Sequence, residues 1–373
     1  MRFRIAAVAA AALALASPAL AGPPRVDARA WIVQNATTGE VLASYHAGRP
    51  LPIASLTKLM TVRIALQRLS VDDVVTVRSD AAAVGESSIH LRAGERLTVR
   101  DLLKGALIQS ANDAADALAD ATTGGNEARF VALMNAEARR LGLRDTHYVR
   151  PDGLDVPGHV SSARDVLRLA RIEMHDRAVR SIVRERSDTI AGGRVLHTWN
   201  DLLATFRGLI GVKTGHTGGA GWCEVAAARR PGLTVYAVIL GSPSRSRRNA
   251  DLAALLGWGL DQYRLVRVVR PGRAYAWAKT AYGRDAIPLV AERPLRAVVR
   301  RGRPLVTRVV ASAAVSLPVS RGRRLGEIRV YEGHRLLGRR PVVAARSVTR
   351  PGLVGRVGWY AGRTVHHVLG FFT

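Results

Sequence analysis

Ser55 and Lys58 stand three residues apart in Ala54-Ser55-Leu56-Thr57-Lys58, at the head of a segment, Leu56 to Leu69, whose apolar residues recur at helical spacing. On a helix a separation of three puts the hydroxyl and the amine on one face. An amine that has lost its proton can take the one on the hydroxyl, so the pair reads as a nucleophile with its base. The free N–H groups and the dipole at a helix start also favour negative charge on a substrate oxygen and a neutral amine beside it. Lysine is scarce in this chain: Lys58, Lys104, Lys213 and Lys279 are the only four among 56 Lys and Arg. Arginine keeps its proton in proteins, whereas lysine gives it up when desolvated or crowded by other cations. The expectation is an uncharged Lys58, kept so by cationic surroundings. A serine cap beside a solvated lysine is the plain alternative, and the pair alone carries little weight.

Two further groups add to it. Ser110-Ala111-Asn112 falls between two helical patterns, Val99 to Ile108 and Asp113 to Ala121, where Ser and Asn could also act simply as helix caps. Lys213-Thr214-Gly215 follows an apolar run, Leu209 to Val212, that reads as a strand. A glycine there lets a substrate backbone approach the strand edge. Val212 stands where a phosphate loop needs glycine beside its lysine, so that reading is excluded. Ser-x-x-Lys, Ser-x-Asn and Lys-Thr-Gly in this order are the serine acyl-transfer signature of penicillin-interacting enzymes. The chain resembles the D-alanyl-D-alanine carboxypeptidases, the low-molecular-mass penicillin-binding proteins, from about Ala28 to Arg346. The resemblance is carried by Pro52 to Thr61, Leu107 to Ala115, Pro151-Asp152-Gly153-Leu154-Asp155 with Pro157-Gly158-His159, Lys213 to Thr217, and Leu317 to Gly322. Ala111 departs from the usual glycine, which adds a methyl and removes no functional group.

The resemblance implies roles. Ser55 attacks the carbonyl between the last two D-alanines, and Lys58 takes its proton. The backbone N–H groups of Ser55 and His216 form the oxyanion hole. Ser110 and Lys213 return a proton to the departing amine, and Asn112 orients the acyl chain. Lys213, Thr214 and Arg248 hold the terminal carboxylate, with Arg247 as the rival and Gly215 giving the substrate access to the strand. Gly105 and Asp165 read as packing or capping residues, and Asn200 is left open. The implied substrate is the peptidoglycan stem peptide, with β-lactams as covalent inhibitors. No cofactor is expected. No metal is expected either: Cys223 is the single cysteine, and the ten His show no HExxH or similar ligand spacing.

These residues need a frame. Trp31 to Asn35 and Val41 to Tyr45 flank Thr37-Thr38-Gly39 as a hairpin, and Trp222 to Ala228 pairs with Leu233 to Leu240 across Pro231-Gly232. Helical patterns fill the interval, Glu127 to Leu141 among them. Strands at both ends with helices between them give an antiparallel α/β sandwich, not a doubly wound parallel sheet. The resemblance specifies it as the penicillin-binding/β-lactamase-like transpeptidase fold, an antiparallel sheet with helices on its faces, followed by a small all-β domain. Alternating strands at Ala297 to Arg300, Val306 to Val310 and Glu327 to Tyr331 mark that second module. The expected divisions are 1–21, a cleaved signal peptide; 22–265, the peptidase; 270–346, a β-sandwich; and 350–373, a basic amphipathic tail.

A formal charge of +27 would ordinarily raise nucleic acid as a partner. The N-terminus argues otherwise: Met1-Arg2-Phe3-Arg4 is basic, Ile5 to Ala16 is apolar throughout, and Ala19-Leu20-Ala21 suits signal peptidase. An exported chain meets anionic envelope polymers and membrane surfaces, not nucleic acid. From residue 261 onward there are 23 Lys and Arg against 5 Asp and Glu, so most of the excess lies in the second module and tail. Val354, Val357, Ala361, Val365, Val368 and Phe372 recur at helical spacing, which suits a membrane-interface helix, although five glycines from Gly352 to Gly370 weaken the helix and leave a disordered tail as an equal alternative. Three other functions use the same motifs or charge. A β-lactamase of class A would need a carboxylate for deacylation, and no Glu lies between Glu137 and Glu173. A D,D-endopeptidase would use the same residues. A catalytically silent envelope-binding protein would use only the charge.

Overall fold

Ala30–Asn35 (β1) and Val41–Tyr45 (β2) form the expected hairpin, with Gly39 at φ +74 in the turn, a conformation glycine adopts without a steric penalty. The computed structural model describes residues 11–13, 22–282 and 284–369. Leu209–Thr217 (β3), Gly221–Arg230 (β4) and Leu233–Ser242 (β5) complete a five-stranded antiparallel sheet in the order β2-β1-β5-β4-β3. β3 is therefore an edge strand, with one row of backbone groups not used by the sheet. Central β4 and β5 read as near-continuous Val, Ala and Ile because both faces are covered.

Lys58–Leu66 (α1) crosses the helical layer. Nearly every side chain on it is buried, so it shows no polar stripe and its sequence is apolar all round. Packed with it are Val99–Lys104 (α2), Asn112–Thr123 (α3), Glu127–Leu141 (α4) and Ala163–Glu173 (α5). Their caps are local: Thr98, Asn126 and Ser162 each accept a backbone N–H from the first turn, and α3 and α4 stop at Gly124 and Gly142, both with positive φ. Ser162 caps through the Asp165 N–H, and Asp165 binds the Asp145 N–H and the Thr146 hydroxyl, a structural role as expected. Gly105 is a packing residue too, since a Cβ there would come within 2.8 Å of Ile89 and 3.0 Å of Ala114. Arg245–Asp261 (α6) closes this unit, which ends at Asp261.

Two of the six described non-glycine residues with positive φ lie at the motif serines. Ala54, in the 3₁₀ turn Ala54–Thr57 just before α1, has φ +49. Ser110 has φ +64 where the turn Gly105–Gln109 widens to a π pitch after α2. Left-handed backbone at a non-glycine costs on the order of 1–3 kcal/mol and persists only where its surroundings enforce it. At the first turn, Pro151 to Gly153 supply that enforcement. Thr61 donates to the Pro151 carbonyl, and Gly153, at φ +88, lies so close that a Cβ would overlap the Ala54 carbonyl and come within 2.7 Å of Thr57 Oγ1. Gly153→Ala should lower stability by about 3 kcal/mol from backbone strain and overpacking. By calorimetry that is a Tm lower by roughly 6–12 °C; an unchanged Tm would show that the two segments are not packed as described.

The second unit begins at Gln262. Tyr263–Val269 (β6) pairs with Leu295–Arg300 (β9) as an antiparallel ribbon of this unit. The alternation of apolar and arginine residues along β6 suits a half-exposed strand rather than a linker. Between them lie Ala274–Thr280 (β7) and Ile287–Ala291 (β8); Leu305–Ala311 (β10), Arg324–Glu332 (β11) and Arg335–Ala344 (β12) follow. These five strands form a sheet in the order β10-β11-β12-β8-β7, with Ala11–Leu13 at the β10 edge and Ala314–Val315 at the β7 edge. A separate core of Val269, Ile287, Leu289, Ile328, Val330 and Val342 holds it together. Leu353–Leu369 forms a helix, α7, the first of the two alternatives for the tail; Phe372 and all of 1–21 except 11–13 lie outside the described residues.

Candidate active site

Lys58 is the first residue of α1 and is 0% exposed. Its Nζ lies 2.7 Å from Ser55 Oγ, 2.7 Å from Asn112 Oδ1 and 2.8 Å from the Asp152 carbonyl. Those three acceptors fix what happens when the amine loses a proton. The Asp152 carbonyl can only accept, and so can Asn112 Oδ1, whose amide orientation is set by its Nδ2 donating to the Gly85 carbonyl at 2.9 Å. A neutral amine keeps two N–H bonds for those two partners, so its lone pair is left facing the one group that can donate, the Ser55 hydroxyl. With its proton gone, Lys58 is thus placed where it can accept one from Ser55. It also gives Asn112 a partner that sequence alone did not: both ends of its amide are engaged within the protein, and its first task is to hold Lys58.

Burial lowers the Lys58 pKa to about 8; Asp152, Asp116 and Asp113 pull it up, and Arg150 pulls it down. The expectation of cationic surroundings is therefore corrected. Desolvation is what loosens the proton, acting against a surplus of nearby carboxylates. Arg150 salt-bridges Asp152, whose carboxylate also accepts the Leu154 N–H.

Lys213 Nζ, on β3 and equally buried, donates to Ser110 Oγ at 2.7 Å and to the Thr214 carbonyl at 2.8 Å. Its pKa is held well below the ordinary lysine value by burial first and by the charge of Lys58 second. Two serine–lysine pairs thus share one site, and Ala111 between Ser110 and Asn112 is fully buried without disturbing either. Gly215 shows how closely β3 approaches: a Cβ on it would sit 3.0 Å from both the Ser55 amide nitrogen and the Ile53 carbonyl. His216, the next residue, is exposed and stacks on Trp222 with ring centroids 4.0 Å apart. Asp155 fixes the following turn through the Thr217 hydroxyl and the Gly219 N–H.

Arg248 differs most from expectation. It is on α6 but only 1% exposed, with Nε 3.0 Å from Glu224 Oε2, Nε and Nη2 on Asn249 Oδ1 at 3.1 and 2.6 Å, and the Trp222 ring 5.6 Å from its carbon. Two of its three nitrogens are thus engaged within the protein. Arg247 pairs with Asp251 along the helix instead. Asn200 uses Oδ1 to accept the Leu202 N–H, while its buried Nδ2 has no partner in the structure. Sequence reasoning missed Glu224 and the Asp152 carbonyl. The latter lies inside a quoted stretch, but a backbone acceptor leaves no mark of its own in residue type.

A family model described as D-alanyl-D-alanine carboxypeptidase matches residues 17–244. D-alanyl-D-alanine carboxypeptidase DacD of Salmonella typhimurium is 34% identical, over 92% of this chain and 94% of its own. Among solved structures, penicillin binding protein 6B from Escherichia coli superposes with a TM-score of 0.64 at 31% identity, over 88% of this chain and 98% of that one. The Streptomyces K15 DD-transpeptidase does so with a TM-score of 0.61 at 31% identity, over 65% of this chain and all of its own. The antiparallel sheet with its helices and the following all-β module are thus the fold of penicillin-binding D,D-peptidases. On sequence, fold and the presence of two buried lysines each bonded to a serine, the chain belongs to the serine-type D-alanyl-D-alanine carboxypeptidase family.

Proposed function

We propose that Ser55, made nucleophilic by Lys58, attacks the carbonyl between the two terminal D-alanines of a peptidoglycan stem peptide. The observation that carries this is the three-acceptor cage around Lys58 Nζ, which leaves its lone pair only the Ser55 hydroxyl. The oxyanion would lie between the N–H groups of Ser55 and His216, for which the close approach of Gly215 to Ser55 is the support. As the tetrahedral intermediate collapses, the C–N bond breaks and the Ser110–Lys213 pair supplies a proton to the departing D-alanine amine. Water then attacks the acyl-enzyme and regenerates Ser55. Lys213, Thr214 and Arg248 would receive the terminal carboxylate. Penicillin would enter the same site and acylate the same oxygen.

A labelled penicillin followed by peptide mapping tests this. The label should map to the peptide carrying Ser55, and a peptide ending in two D-alanines should release free D-alanine. Label without release would favour an endopeptidase or a sensor, and rapid penicillin turnover would favour a lactamase.

The reading also includes export, with residues 1–21 removed, and attachment at the outer face of a membrane or in the envelope. Among the described residues no helix is long and apolar enough to cross a membrane. On α7, Leu353, Val354, Val357 and Tyr360 are exposed, an apolar set that suits an interface helix. Anionic partners are supported by a cavity of about 500 Å³ in the second unit, lined by Arg267, Arg270, Arg296, Leu265 and Val266. Arg267 there sits directly across from Arg296, a repulsive pairing that an anion would relieve. Deleting 352–373 should shift the processed protein from the membrane fraction to the soluble fraction on sedimentation; unchanged sedimentation would remove the tail as the anchor.

A further inference from the structure

Glu224 lies in the middle of β4, among valine, alanine and cysteine, and is 0% exposed. It is the cross-strand partner of Thr214, inside the Lys213-Thr214-Gly215 segment. Neither carboxylate oxygen has a hydrogen-bond partner among the described residues; its compensation is the Arg248 Nε at 3.0 Å. A buried carboxylate left without hydrogen bonds is a costly choice at a position where its neighbours are aliphatic. The charged groups around it are Arg248 and Arg245 from α6, Lys213 from β3, and Asp201 from the turn before Leu202. Asp201 is itself occupied, taking both arms of Arg245 and the Asn249 amide. Trp222, one turn of the strand away, lies under the Arg248 guanidinium. The contacts at Nε and Nη2 leave Nη1 as the Arg248 nitrogen they do not use.

We propose that Glu224 moderates the site for the terminal carboxylate: paired with the Nε edge of Arg248, its charge weakens the grip of Arg248 and Lys213 on that carboxylate. This rests on the reading that Lys213, Thr214 and Arg248 receive the carboxylate. The weakening has a use, because the leaving D-alanine carries the same carboxylate and must depart before water can use its space. Burial raises Glu224 to about 7, against the pull of Arg248, Lys213 and Arg245. Its charge is therefore present above neutral pH and is lost as pH falls, so the restraint on carboxylate binding is an alkaline-side property.

The test compares wild type, Glu224→Gln and Glu224→Leu with a peptide ending in two D-alanines, and with D-alanine as product inhibitor. At pH 8.5 both variants should show KM and the inhibition constant for D-alanine about five- to tenfold lower than wild type, a coupling of ordinary size. At pH 6 the three proteins should converge. Lys58 titrates in all three, so its contribution cancels in the ratio. The same ratio at both pH values, or a raised KM, overturns the proposal; a purely structural Glu224 would lower Tm and kcat without a pH-dependent KM ratio. Glu224→Leu keeps the test open if the glutamine variant folds poorly. Arg248→Gln separates the two layers. An unchanged KM there overturns the carboxylate reading itself, whereas a raised KM beside a silent Glu224→Gln overturns only the role of Glu224.

Discussion

Lys58→Arg should abolish both peptide hydrolysis and penicillin acylation, with kcat/KM lower by about 10³- to 10⁴-fold, the scale of a lost general base. The amine sits in a site with no solvent exposure, bounded by one hydroxyl and two obligate acceptors. A guanidinium brings five donors, exceeds the available space and does not give up its proton. In the wild type, activity should follow deprotonation of Lys58. Since the neutral amine is the active form and its pKa is about 8, the rate of acylation should rise with pH to a plateau above about 8. At pH 6 it should lie about 100-fold below that plateau, since each unit below the pKa is a factor of ten in the neutral fraction. Lys58→Met separates chemistry from folding. It keeps the volume but leaves Asn112 Oδ1 and the Asp152 carbonyl without their donor, so Tm should fall by several degrees, while acylation at a temperature where the variant is folded should be lost as completely. Acylation within tenfold of wild type in either variant would remove Lys58 from the mechanism.

Ser55→Ala should remove the covalent penicillin adduct altogether, with any residual hydrolysis about 10⁴- to 10⁶-fold below wild type, as for nucleophiles that act as a unit with their base. The fold should survive, because Lys58 retains Asn112 Oδ1 and the Asp152 carbonyl as partners. Reversible penicillin binding should survive as well, measurable by displacement of a fluorescent β-lactam at equilibrium. The control is Ser110. It too is bonded to a buried lysine at 2.7 Å, so an adduct that persisted in Ser55→Ala and mapped to Ser110 would reverse the order of the two serines.

The site was legible to the degree that it was local. Ser55 and Lys58 share a turn, and Ser110 and Asn112 flank one residue, so spacing alone brought them together. The β1–β2 and β4–β5 hairpins were legible for the same reason, through short turns between alternating runs. Groups brought in from a distance left weaker traces. The acceptor that completes the Lys58 cage is a carbonyl 94 residues away, and any residue type could have supplied it. Lysine scarcity marked Lys58 and Lys213 but equally Lys104, which merely bridges Asp188 near the surface. Arg248 was singled out by pattern, but its buried partner Glu224 was not, because it sits in a strand where an acidic residue breaks the apolar run for no local reason. That Tyr263–Val269 takes its partner from residues 295–300 was not legible, because the pairing is not local.

The left-handed turns at Ala54 and Ser110 bear on how this enzyme could be changed. Each carries one of the two serines into place at some expense in conformational energy, and relaxing either would harden the molecule against heat. Natural proteins sit a little above the stability they need, with reserves that functional sites draw down. A selection for endurance alone, blind to turnover, would drift first toward these two bends and would return a robust but idle scaffold.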